Sequence, residues 1–97
     1  MTEWTFDVSP ETAVVTSTYV TKESMPVRYV SHEVDENGEI IWQFHCGNGD
    51  YDMAVMQLVG LGEIVAIDGS LKQVAGLPLG HSARRAAIGD KWVFQKE

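Results

Sequence analysis

The adjacent pair His45-Cys46 is the first feature of the sequence that could support chemistry, because an imidazole beside a thiol is a base–nucleophile arrangement. Both residues fall in an alternating run, Glu39 to Cys46, that is typical of a β-strand. Neighbouring side chains on a strand point to opposite faces, so the thiol and the ring cannot meet there. We therefore predict that Cys46 is a small buried hydrophobic residue, and we predict no catalytic residue and no enzymatic activity.

Potential metal ligands are too few or wrongly spaced. His32 and His45 are expected on one face of a hairpin, but no third ligand lies at a spacing that supports a zinc site. The acidic segment 48–52 resembles the first half of a calcium-binding loop. That loop requires a glycine and a terminal glutamate where this chain has Met53 and Val59. We predict neither a metal nor a cofactor.

The acidic residues are concentrated in the first half of the chain. The 97 residues include 14 acidic and 7 basic side chains, which gives a formal charge of −7. This balance argues against nucleic acid and anionic membranes as partners, because both require basic residues. Five of the acids fall near a predicted hairpin turn and the loop after it, and we predict that they bind a basic protein partner: Glu33, Asp35, Glu36, Asp50 and Asp52. The alternative is that these carboxylates serve only solubility.

Length and cysteine content define the class of protein. A chain of 97 residues suits a single domain, residues 1–97, because two separate cores would each be too small. The single cysteine cannot form an internal disulfide, which fits a reducing compartment. The longest apolar stretch, Leu58 to Ile67, is interrupted by Glu63 and is too short to span a bilayer. We expect a cytoplasmic protein.

The sequence of the first half of the chain predicts β-strands. A short strand is expected over Trp4 to Val8, and Thr12 to Val20 and Val27 to Val34 are rich in the β-branched residues that suit a sheet. Asn37-Gly38, between Val34 and the Glu39–Cys46 run, predicts a hairpin with a type I′ turn. The pairing set by that turn places Val27, Tyr29 and Ser31 beside Trp42 on one face. It leaves a second, mixed face with Arg28, Val30, His32, Val34, Ile41, Gln43 and His45.

The second half of the chain predicts short helices. Met53 to Val59 favours a strand over a helix, and Glu63 to Ile67 fits either. Asp68 is a good N-cap for a helix over 70–75, a second helix is expected over 82–88, and Trp92 to Phe94 forms a final strand or docked tail. The predicted fold class is α+β, a small single domain with a mostly antiparallel sheet and short helices in the C-terminal half.

The order and spacing of several short motifs resemble the bacterial immunity-protein 33-like family over residues 12–94. These motifs are Val15-Thr16-Ser17 with Val20, Pro26-Val27 with Tyr29-Val30, Trp42-Gln43-Phe44 with Gly47, Leu61-Gly62-Glu63-Ile64, Asp68 with Ser70-Leu71, Leu77-Pro78-Leu79-Gly80 with Ala83 and Arg85, and Trp92. Gly69 and His81 depart from the family pattern, which usually has proline and tryptophan there. The resemblance implies an α+β fold and a role as an immunity protein in bacterial toxin systems, and it implies no catalytic residues.

Two functions therefore stay open. The first is a protein-interaction domain that neutralises a toxin, steered by the five acids. The second is a small regulatory or ligand-binding module that uses the mixed face of Val30, His32, Ile41 and His45. A homodimer formed through exposed edge strands is compatible with either.

Overall fold

A computed structural model describes residues 6, 8–49, 52–87 and 89–96, and it has the predicted α+β fold. The strands are β1 (Ala13–Ser17), β2 (Tyr29–Val34), β3 (Ile40–His45), β4 (Met56–Gly60), β5 (His81–Arg84) and β6 (Val93–Lys96). The helices are α1 (Thr18–Thr21), α2 (Leu61–Ile67) and two 3₁₀ helices, Met53–Val55 and Gly69–Val74. No helix in these described ranges is long and apolar enough to cross a membrane.

The strands form one six-stranded sheet in the order β4-β1-β3-β2-β5-β6. β1 runs parallel to β3, and every other neighbouring pair is antiparallel, as predicted. The central strands β2 and β3 contribute Val30 and Phe44, which face each other across the ladder and are fully buried. β4 and β6 are the two edges of the sheet.

The hairpin between β2 and β3 has a different turn from the one predicted. The Asp35 N–H donates to the Glu39 carbonyl at 2.8 Å, and the Gly38 N–H donates to the Asp35 carbonyl at 3.1 Å. Gly38 has φ of +80°, whereas Asn37 has no positive φ, so the geometry is that of a three-residue loop ending in a glycine bulge. The Asp35 carboxylate stabilises this loop by accepting hydrogen bonds from the N–H groups of Asn37 and Glu39, both at 2.9 Å.

This turn shifts the pairing by one residue and exchanges the two faces of β2. Val30 lies opposite Phe44 and His32 opposite Trp42, while Tyr29 lies opposite His45. A slip of one residue moves every side chain of a strand to the other face. The predicted faces are therefore wrong: Trp42 shares its face with Val30 and His32. The mixed face forms only in part: Ile41, Gln43 and His45 share one face, whereas Val30, His32 and Val34 lie on the other. His32 and His45 therefore lie on opposite sides of the sheet.

The core lies between one face of the sheet and the helices. His32 belongs to this side, where its ring stacks on Trp42 at 3.9 Å between centroids and its Nδ1 lies 2.8 Å from the Leu77 carbonyl oxygen. Cys46 is 1% exposed, which confirms its predicted burial. The other fully or nearly buried apolar side chains are Phe6, Val14, Val20, Val27, Val30, Phe44, Leu61, Ile64, Val65, Leu71, Val74, Leu77 and Ala83.

The predictions for the second half are confirmed in part. The strand favoured over Met53 to Val59 is β4 preceded by a 3₁₀ turn, and Asp68 caps the second 3₁₀ helix by accepting from the Ser70 N–H at 3.0 Å. The helix expected over 82–88 is wrong, because residues 82–84 belong to β5, where Ala83 pairs with Val30, and residues 85–87 are not helical. The burial that the segment gains as a strand between β2 and β6 outweighs its local preference for a helix. The strand expected over Trp4 to Val8 lies mostly outside the described residues.

Candidate functional site: the open face of the sheet

The helices pack against the Val30 side of the sheet, and we call the opposite side the open face. Its side chains form rows that cross the strands, because paired residues of neighbouring strands point the same way. One row is Leu58, Val15, Gln43, Ser31, Ser82 and Gln95, and the next contains His45, Tyr29, Arg84 and Val93. Glu33 and Ile41 form a third row nearer the hairpin turn.

A polar cleft of about 530 Å³ lies over β2, β3 and β5 on this face. Arg28 forms one wall, where its Nε donates to the Cys46 carbonyl at 2.8 Å and its Nη1 to the Ala86 carbonyl at 3.4 Å. The exposed Arg84 guanidinium lies over the Tyr29 ring, 5.0 Å from its centroid. The full lining is Arg28, Tyr29, Ser31, Glu33, Gln43, His45, Gly47, Arg84, Arg85 and Ala86.

The charge of the third arginine in the lining, Arg85, is already compensated. Its side chain is buried, and its Nη2 forms an ion pair with the Asp68 carboxylate at 2.7 Å. Its Nε donates to the Val27 carbonyl at 3.0 Å and its Nη1 to Ser70 Oγ at 2.8 Å, while Trp92 covers the guanidinium. Arg85 therefore holds the site together, whereas Arg28 and Arg84 give the cleft its positive character.

The floor of the cleft has unused hydrogen-bonding capacity. Ser31 and Ser82 face each other across β2 and β5, and both side chains are buried. Ser31 lines the cleft, and neither hydroxyl has a hydrogen-bond partner among the described residues. A buried polar group without a partner costs about 1–3 kcal/mol. A ligand or partner atom that reached the Ser31 hydroxyl would recover part of that cost.

His45 lies at one side of the floor, and its burial favours the neutral imidazole. The residue is 3% exposed, and burial lowers the pKa of its imidazole, because desolvation disfavours the cation. Its Nε2 lies 2.9 Å from Gln43 Oε1, and its ring stacks with Tyr29 at 6.3 Å between centroids. The positive charge in the cleft thus comes from arginine and does not depend on this histidine.

A second cavity, of about 440 Å³, adjoins the cleft and is apolar. Its lining comprises Val15, Gln43, Met53, Met56, Gln57 and Leu58, so Gln43 is shared by the two cavities. Leu58 is 71% exposed and Met53 83% exposed. Exposed apolar side chains beside a polar cleft are typical of a surface that contacts another molecule.

Of the five acids predicted to bind a partner, the four that the structure describes lie at two ends of the sheet. Glu33 lines the polar cleft, Asp35 is bonded within the hairpin turn, and Glu36 is exposed at the same end of the sheet. Asp52 lies after the far end of β3, about 20 Å away for a six-residue strand, where its carboxylate accepts from the Ala54 N–H at 2.8 Å. Asp50 lies outside the described residues.

The sequence placed Arg28 with Gln43 and His45, as the cleft has them. It did not place Arg84 there because a helix was expected over 82–88, nor Tyr29 and Ser31 because the predicted register put them on the other side of β2. In the described ranges no group of three or more His, Cys, Asp or Glu side chains could hold a metal ion. No family model, curated protein or solved structure matches this chain, so its function must be argued from the open face.

Proposed function

We propose that this chain is a non-enzymatic protein-interaction domain that binds its partner over the open face. The observation that supports this best is that a cationic polar cleft and an exposed apolar cavity lie side by side on this face. Gln43 lines both of them. Protein interfaces combine a buried apolar centre with polar groups that orient the partner. A partner that covered Met53 and Leu58 would remove their exposed apolar surface from water, at about 25 cal/mol per Å².

The proposed partner is a bacterial toxin domain with a basic surface. The resemblance to the immunity-protein 33-like family supports this class. The charge of −7 and the acids Glu33, Asp35 and Glu36 at the hairpin end support it as well, because opposite net charge accelerates the encounter of two proteins. Within the contact, a partner carboxylate placed between Arg28 and Arg84 would orient the bound toxin.

Growth protection and binding affinity test this proposal together. The probe is the protein encoded by the gene next to this chain's gene, co-expressed with this chain for the growth assay and purified for calorimetry. We expect co-expression of this chain to restore the growth of cells that produce the neighbouring protein. We expect Arg84→Glu to weaken the binding of that protein at least tenfold, or about 1.4 kcal/mol. Lys22→Glu is the matched control, since it makes the same charge change at an exposed residue that lines neither cavity.

Different outcomes test the two parts of the proposal, the class of the partner and the position of the binding site. Failure of the neighbouring protein to bind, or of co-expression to protect growth, contradicts the toxin assignment. Tight binding that Arg84→Glu and Met53→Glu leave unchanged contradicts the open face as the site. Both substituted side chains are exposed, so we expect neither variant to unfold the domain.

A small-anion-binding module is the second candidate. The Ser31 hydroxyl, which no described residue binds, shares a cleft with Arg28 and Arg84 and favours this candidate. A ligand at 100 times its Kd stabilises a protein by about 2.7 kcal/mol, which a thermal melt detects easily. Phosphate, citrate and glutamate at constant ionic strength are suitable probes. A rise in Tm that Arg84→Ala abolishes would support this candidate over protein binding.

A further inference from the structure

The strand β4 is an edge of the sheet formed by the described residues. Met56–Gly60 pairs along its full length with β1, and no described strand pairs with its other side. An edge strand presents a row of N–H and C=O groups that can pair with another chain. Native proteins usually block such an edge with charged residues, proline or a bulge.

β4 has none of these protective features. Its sequence, Met-Gln-Leu-Val-Gly, contains no charged residue and no proline, and all five residues are in regular register with β1. The opposite edge, β6, ends in Lys96 and follows the exposed Lys91. The exposed Leu58 lies at the centre of β4, and the exposed Met53 precedes it. The two edges of the same sheet therefore differ in the protection that they carry.

We propose that the β4 edge binds a second copy of this chain, with the two β4 strands antiparallel. A two-fold axis at Leu58 places this residue opposite Leu58 of the second copy, so that Gln57 faces Val59 and Met56 faces Gly60. All five residues of each strand are then paired. Such a contact is self-complementary, which is the requirement for a two-fold dimer.

Charge favours this edge over the rest of the surface for self-association. Two copies that each carry −7 repel each other, and an uncharged strand brings the fewest like charges together. The two Leu58 side chains lie on the open face beside each other, where their Cβ atoms would approach to about 5 Å and cover apolar surface that is exposed in the single chain. Because the remaining charges repel, added salt strengthens the dimer.

Sedimentation equilibrium from 1 to 200 µM tests the proposal on the intact chain. We expect a mass that approaches twice 10.7 kDa with increasing concentration, and a lower dimer Kd in 0.5 M than in 0.05 M NaCl. Leu58→Lys should raise the dimer Kd at least tenfold. Val93→Lys, an exposed apolar residue on the β6 edge, is the matched control and should leave the dimer Kd within twofold.

Amide hydrogen exchange provides a second readout that does not depend on a variant. The β4 amides that face outward should exchange at least tenfold more slowly at 200 µM than at 1 µM, whereas the β6 amides should not change. A monomer throughout the concentration range, a dimer that Leu58→Lys leaves intact, or protection of β6 in place of β4 would each overturn the proposal. Binding of a toxin strand to β4, with the free chain monomeric, would overturn it as well.

Discussion

Replacing Arg85 is expected to destabilise the fold far more than replacing its neighbour Arg84, although the two residues are adjacent and identical. The Arg85 guanidinium is buried and binds Asp68, Ser70 and the Val27 carbonyl at 2.7–3.0 Å. Arg85→Met leaves the buried Asp68 carboxylate without its counter-charge. Breaking a buried ion pair in this way costs about 3–5 kcal/mol.

This loss is large for a small domain, whose total stability is about 5–15 kcal/mol. Urea unfolding followed by tryptophan fluorescence measures it directly, because Trp92 lies against Arg85 with 4.3 Å between guanidinium and ring. Arg84→Met is the internal control. Arg84 is exposed, and its contact with the Tyr29 ring is solvated, so we expect a change within about 0.5–1 kcal/mol.

A double-variant cycle isolates the ion pair from the other contacts of Arg85. Asp68→Asn keeps an oxygen that can accept from the Ser70 N–H and cap the 3₁₀ helix, but it removes the negative charge. We expect the double variant Asp68→Asn with Arg85→Met to be more stable than the sum of the single losses predicts, by about 0.5–3 kcal/mol. If Arg85→Met costs less than about 1 kcal/mol, or the single losses add without coupling, the buried pair does not stabilise the domain as argued.

Four further predictions follow from single residues. Gly38→Ala should destabilise the protein by about 1–2 kcal/mol in urea because Gly38 has φ of +80°, whereas Gly69→Ala, at a glycine with no positive φ, should have little effect. Burial lowers the pKa of His45 in the folded protein, so the unfolded chain binds the proton more readily. The free energy of unfolding should therefore decline as the pH falls below about 6.5. Thermal melts at several pH values should show that His45→Gln weakens this dependence. The thiol of Cys46 should react with a maleimide only after unfolding, as mass spectrometry can show. Glu36→Lys should slow association with a basic partner in stopped-flow at low salt, and the difference should shrink at high salt.

The existence of the hairpin could be predicted from Asn37-Gly38, but its register could not. Asn-Gly suits a two-residue turn, yet Asp35 supplies a carboxylate that binds two N–H groups of a longer loop. The difference is a single residue in the loop. Its effect extends along all of β2, because side chains alternate between faces. The polar cleft, with Tyr29 and Ser31 on its floor, could not be predicted without that one assignment.

The burial of Arg85 was not accessible from the sequence for a different reason. The residue follows β5, and its partner Asp68 lies 17 positions earlier, at the start of a 3₁₀ helix. Only the packing of that helix against the sheet brings the two side chains together. A local helix expected over 82–88 placed Arg85 on a solvated surface, where a basic residue is ordinary. Asp68 itself was predictable as a cap, because capping is decided by the next few residues alone.

The opposite charges of this molecule lie in different places, and they would act at different stages of association. Glu36 and Asp52 are exposed at the two ends of β3, so they act through solvent over about 8 Å and are screened by salt. Arg28 lies in the wall of a cleft, with its Nε already held by the Cys46 carbonyl, so its orientation is fixed before a partner arrives. Exposed charges mainly alter association rates, whereas desolvated charges alter dissociation rates. If the proposed basic partner binds the open face, the acidic excess would set how fast it arrives, and Arg28 would affect how long it stays bound.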